Sequence, residues 1–88
     1  MSVKTKLKPV PRIHDLGSAL RKRRIECGLT QAELAWRAEL HWTYVSHLEN
    51  ARRHPGWRVI CALSEALEIR PSVLVRNAED LPSRGEQS

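Results

Sequence analysis

The chain has 88 residues, a formal net charge of +5 and two cysteines. That length supports one small domain, and Cys27 and Cys61 are too few and too far apart to staple it, so both read as small buried hydrophobes. No apolar run is long enough to cross a bilayer and the first residues lack the apolar core of a secretion signal, so a cytoplasmic protein with no membrane partner is expected.

The charge is unevenly spread. Residues 1–58 carry twelve Lys and Arg against five Asp and Glu, whereas residues 59–88 carry three against five. A basic front part joined to a mildly acidic rear suggests one face for a polyanion and another for something else.

In chain order, "MSVKTKLKPVPR" (residues 1–12) alternates Lys with other residues and ends on Pro9 and Pro11, so it reads as a flexible basic arm. Helix 1 is predicted from about His14 or Asp15 to Glu26, with Leu16, Leu20 and Cys27 along one face, Ile25 on its flank and Gly28 as the stop. Helix 2 starts sharply. In "TQAE" (residues 30–33) Thr30 and Glu33 form a capping box, and Leu34, Ala35 and Ala38 face inward. A connection of about three residues, "ELH", leads to helix 3, "HWTYVSHLEN" (residues 41–50), with His41 at its N-cap and Leu40 and Val45 set as a hydrophobic staple. Helix 4 follows "HPG" over Trp57 to Leu67, its stripe being Trp57, Ile60, Leu63 or Ser64, and Leu67. Pro71 opens helix 5, which carries Val73, Leu74 and Val75. Residues 79–88 read as a disordered polar tail. The fold class is therefore all-α: a compact five-helix domain over residues 13–78.

Helices 2 and 3, short and closely joined, make a helix-turn-helix. Taking Val45 as inward and about 100° per residue, Leu48 and His41 also face the domain. Thr43, Ser46, His47 and Asn50 cluster within about 50° of the outward direction. Trp42 and Tyr44 lie on opposite flanks and Glu49 leans inward. The outward side chains have the length and hydrogen-bonding groups to reach base edges or phosphates.

"GLTQAELAWRAELHWTYVSHLENARRHP" resembles the helix-turn-helix domain of the lambda-repressor-like (Cro/C1, XRE) family, shared by lambdoid phage repressors and many small bacterial regulators. The matching residues are Gly28, Leu29, Thr30, Gln31, Leu34, Ala35, Val45, Ser46, Leu48, Glu49 and Pro55, and the likeness covers about residues 14–75. A narrower resemblance, through Thr43-Tyr44-Val45-Ser46 and then Leu48-Glu49, Arg52, Arg53 and Pro55, is to the controller proteins of restriction–modification systems. The resemblance implies a DNA-binding transcriptional regulator that works as a homodimer on a palindromic operator. It implies a structural ion pair between Arg24 and Glu49, and a DNA role for Gln31, Thr43, Tyr44, Ser46, His47, Asn50, Arg52 and Arg53. Arg21, Lys22 and Arg23 read as a solvated patch; the alternative, implied by the resemblance, is that one or two of them reach phosphate.

Three departures matter. Glu39 and Ala51 occupy turn positions where the family commonly has Gly, so either the turns take another shape or the fold tolerates strain. Trp42 stands where the controller proteins usually carry Arg; it can pack on a sugar, touch a thymine methyl or cover the seam between helices 2 and 3. Ile69, Val73 and Leu74, with Val75 and Leu81 nearby, form the candidate dimer interface. The rival reading is a protein-binding module such as an antitoxin, which shares the fold and would have a protein partner. With no activated nucleophile, carboxylate pair, phosphate loop or metal-ligand spacing, no enzyme, cofactor or metal site is expected.

Overall fold

The computed structural model describes residues 13–81. The basic arm expected at residues 1–12 lies outside the described residues, as does the tail from residue 82. Five helices follow in order, α1 (Ile13–Glu26), α2 (Gln31–Ala38), α3 (Trp42–Glu49), α4 (Trp57–Ala66) and α5 (Pro71–Asp80), and no strand occurs among the described residues. Among them, no helix is long and apolar enough to cross a membrane. Helix α5 runs two residues into the segment expected as tail, so Glu79 and Asp80 form its last turn.

The core is assembled from one stripe per helix. Leu20, Leu29, Leu34, Ala35, Val45, Leu48, Leu63 and Leu67 pack together from α1 to α4 and the α1–α2 turn. Ala19, Leu74 and Ala78 form a second cluster that holds α5 to α1, flanked by Leu16 and Leu81. Each fully buried Leu contributes about 1.5–3 kcal/mol over an exposed one, which is how helices of eight to fourteen residues, marginal in isolation, become stable here.

Three sequence expectations are corrected. Trp57 was expected in the buried stripe of α4 but is 66% exposed. It lies about 70° round the wheel from the mean direction of Leu63, Ser64 and Leu67, at the first position of the helix. Ser64 takes the inward place, fully buried, its hydroxyl donating to the Ile60 carbonyl at 2.7 Å. Ile25 is exposed on the outer face of α1, about 180° from Leu16. Leu74, expected at a dimer interface, is 1% exposed within the chain and is occupied with α1.

Four helices end in the same way. Gly28, Glu39, Ala51 and Glu68 each adopt a left-handed backbone, with φ between 55° and 73°. In each case the next N–H reaches five residues back, as Leu29 to Arg24, Leu40 to Ala35, Arg52 to His47 and Ile69 to Ser64. The turns thus keep the shape that glycine favours while three carry a side chain. A left-handed non-glycine residue costs about 1–2 kcal/mol, and glycine adds about 0.4–1 kcal/mol of unfolded-chain entropy. Ala51→Gly should therefore stabilise the domain by roughly 0.5–1 kcal/mol, a rise in Tm of about 2–8 °C by differential scanning calorimetry. An unchanged or lower Tm would show that the strain is relieved elsewhere.

Arg23 was expected on a solvated patch. Instead its Nε and Nη2 donate to the Leu67 carbonyl at 3.1 and 3.0 Å, and Nη2 also reaches the Glu68 carbonyl at 3.4 Å. A cation on the carbonyls at the end of α4 satisfies acceptors the helix leaves open and complements its dipole. Arg23 therefore joins α1 to α4, while Arg21 and Lys22 remain exposed.

Candidate nucleic-acid interface

Helices α2 and α3 are each eight residues long and are joined by Glu39, Leu40 and His41. The entry to α2 is fixed by its capping box. Glu33 N–H donates to Thr30 Oγ1 at 3.0 Å, and Thr30 N–H donates to Glu33 Oε1 at 2.8 Å. That donated backbone N–H, more than any other influence, holds the Glu33 carboxyl below its usual range. The entry to α3 is capped by His41, whose ring accepts from the Thr43 N–H. Both caps use side chains within three residues of the helix start, so both are locally encoded.

One polar cluster sets α3 against the rest of the domain. Arg24 Nε donates to Glu49 Oε2 at 2.6 Å and Arg24 Nη2 to Glu49 Oε1 at 3.1 Å. Gln31 Nε2 donates to the same Oε1 at 3.0 Å, and Arg24 Nη1 donates to the Leu29 carbonyl at 2.8 Å. The side chains of Arg24 and Glu49 are 11% and 2% exposed. A carboxylate withdrawn this far from water needs its donors, and here three N–H groups converge on it from α1 and α2.

Gly17 supplies the space behind this cluster. A Cβ there would lie 2.6 Å from the Leu48 carbonyl oxygen and 2.8 Å from that of Glu49. The end of α3 thus lies almost against the α1 backbone. Nothing in the local pattern of α1 marks Gly17 for this role, because an isolated Gly in a helix is only a poorer helix former and its close neighbours lie about 30 residues on.

On α3, Val45 and Leu48 are buried. Thr43, Ser46 and His47 are partly exposed and Asn50 is exposed. Asn50 Nδ2 donates back to the Ser46 carbonyl at 2.8 Å, so its amide closes the end of the helix. Tyr44 packs partly against the main core. Trp42 is 54% exposed and stacks on the His41 ring, centroids 6.3 Å apart and 24° from parallel. Its indole therefore lies over the capping residue of its own helix. Arg52, Arg53 and His54 follow α3 directly and are all exposed. Gln31 is half-buried, its amide committed to Glu49, and ties the start of α2 to the end of α3. Spacing alone does not reveal that contact, because the partners are 18 residues apart.

The helix-turn-helix domain family matches residues 15–77 of the chain. Among solved structures, the chain is similar to the restriction–modification controller protein C.AhdI from Aeromonas hydrophila, at 34% identity and a TM-score of 0.70, over 70% of this chain and 94% of that one. It is similar to the clp gene regulator ClgR from Corynebacterium glutamicum, at 30% identity and a TM-score of 0.74, over 80% and 76%. The DNA-binding domain of the P22 c2 repressor aligns at 28% identity and a TM-score of 0.66, over 68% and 79%. No curated protein matches. With the family's domain matched over most of its length and its turn, caps and α3 in place, the chain belongs to the helix-turn-helix family, among the DNA-binding transcription regulators of Cro/C1 repressor type.

Proposed function

We propose that the chain is a sequence-specific regulator that reads an operator as a homodimer, with α3 in the major groove, after the manner of a restriction–modification controller. The observation that carries this is the division of α3. Val45, Leu48 and Glu49 hold it to the domain, while Thr43, Ser46 and His47 are open to an external partner. Arg52 and Arg53, at its exit, are exposed cations suited to phosphate or to a narrow minor groove. Gln31 at the start of α2, through the second amide N–H that its bond to Glu49 leaves over, and Tyr44 on the flank of α3 would serve the backbone on either side. Trp42 replaces the Arg common in controllers, so their guanine preference is not carried over and a sugar or thymine methyl is its partner instead.

The test is selection from a random duplex pool. Replacing Thr43, Ser46 and His47 together with Ala should abolish discrimination between the selected site and random DNA, with little change in Tm. Arg53→Ala should weaken all duplexes about equally and reduce the slope of log affinity on log salt by about 1. A triple variant that still picks its site would show that α3 is not the reading helix.

Pairing would use the apolar surface that α5 and the preceding turn leave partly open at Ile69 and Val73. One module makes few base contacts, and two-fold pairing places two copies of α3 about one helical turn apart. Sedimentation should give a dimer at tens of micromolar, with Val73→Asp shifted to monomer and bound more weakly to a two-half-site duplex. Monomer alone at high micromolar concentration would refute the pairing.

A further inference from the structure

The reading of Thr43 as a base contact leaves open which base it reads. The geometry around its hydroxyl answers this, resting on that reading. His41 Nδ1 lies 3.2 Å from the Thr43 backbone nitrogen and 2.6 Å from Thr43 Oγ1. A backbone N–H only donates, so Nδ1 is an acceptor and the ring proton sits on Nε2. The hydroxyl beside the same nitrogen can then meet it only by donating as well. A Thr hydroxyl has a single O–H and two lone pairs. With its proton committed to His41, Oγ1 can only accept from outside the protein. Thr43 is partly exposed, and the stacked Trp42 indole lies against the His41 ring that takes the proton.

We infer that His41 is a positioning residue for sequence recognition: it fixes the Thr43 hydroxyl as an acceptor, so that Thr43 selects a base presenting an exocyclic amino group in the major groove. Adenine and cytosine present such a donor, at N6 and N4. Guanine and thymine present acceptors to the same approach. Reversing the base pair under Thr43 therefore sets lone pair against lone pair and costs about three- to tenfold in affinity. A Thr whose hydroxyl is free to turn would accept either orientation.

The experiment uses the full chain and the duplex it selects from a random pool, together with every single base-pair change in that duplex. Thr43→Val, which keeps the methyl and loses the hydroxyl, identifies the base pair that Thr43 reads. His41→Gly removes the acceptor but leaves a residue tolerated at an N-cap, whereas His41→Asp keeps an acceptor in place. At the Thr43 base pair, His41→Gly should lose the three- to tenfold preference, His41→Asp should retain it, and preferences elsewhere should be unchanged for both. If His41→Gly keeps the native preference, or His41→Asp loses it as His41→Gly does, the assignment to His41 is overturned. If Thr43→Val changes no preference, the base contact by Thr43 fails first and the inference falls with it. A circular dichroism melt of each variant confirms that it is folded at the binding temperature.

Discussion

Replacing Arg24 with Leu is expected to destabilise the domain by about 3–5 kcal/mol. Most natural domains have only about 5–15 kcal/mol in hand, so this one substitution removes much of the margin. The reason is what it leaves behind. Glu49, with its side chain 2% exposed, would keep a buried carboxylate with two of its three donors gone and only the Gln31 amide remaining. The Leu29 carbonyl would lose a donor as well. Urea denaturation of Arg24→Leu should show the loss as a lower midpoint. The double variant Arg24→Leu with Glu49→Leu should recover most of it, because no charge is then stranded. A double variant as unstable as the single would locate the damage in lost packing rather than in the uncompensated carboxylate. DNA binding should follow stability in the single variant, since Glu49 anchors the end of α3.

Gly17→Val carries the second large effect. Helix propensity alone favours the change, because Gly in a helix interior is the poorer residue by several tenths of a kcal/mol. Packing opposes it more strongly. The added Cβ would meet the Leu48 and Glu49 carbonyls at 2.6 and 2.8 Å, and these are backbone atoms that cannot rotate aside. Overpacking of this kind costs about 1–3 kcal/mol, so the net result is a loss and the sign distinguishes the two effects. The α3 backbone must also move away from α1, which displaces Thr43, Ser46 and His47 together. Gly17→Val should thus lower the urea midpoint and blunt discrimination for the selected site, while Arg21→Ala, on the exposed side of the same helix, should do neither. A Gly17→Val protein as stable as the native chain would mean that α1 and α3 can separate freely.

Much of this candidate interface is legible in residues 28–55. The Thr30–Glu33 box, the three-residue turn and the alternation of Val45 and Leu48 with Thr43, Ser46 and His47 each depend on neighbours no more than five positions apart. Local spacing therefore suffices to give a helix-turn-helix and the side of α3 that faces out. It also points to glycine-like turns at Glu39 and Ala51, but not to whether they keep that shape with a side chain present. They do, at φ 59° and 61°, because the flanking helices are packed on both sides and hold the turn closed.

Which long-range partner claims each polar or apolar side chain depends on how the helices pack. Arg23 and Arg24 are adjacent and chemically identical. Yet one closes the end of α4, 44 residues on, and the other holds Glu49, 25 residues on. Gln31 turns to that same carboxylate, Leu74 is used up on α1, and Trp57 is left outside the core. Five helices, the turn between α2 and α3, and the outward face of α3 are legible in the residues alone, since they follow from contacts within a turn or two of helix. The anchoring of α3 by Arg24, Gln31 and Gly17 was decided by the packing of α1 and α2 around it, because a side chain's partner across the domain depends on how whole helices cross, which no local spacing records.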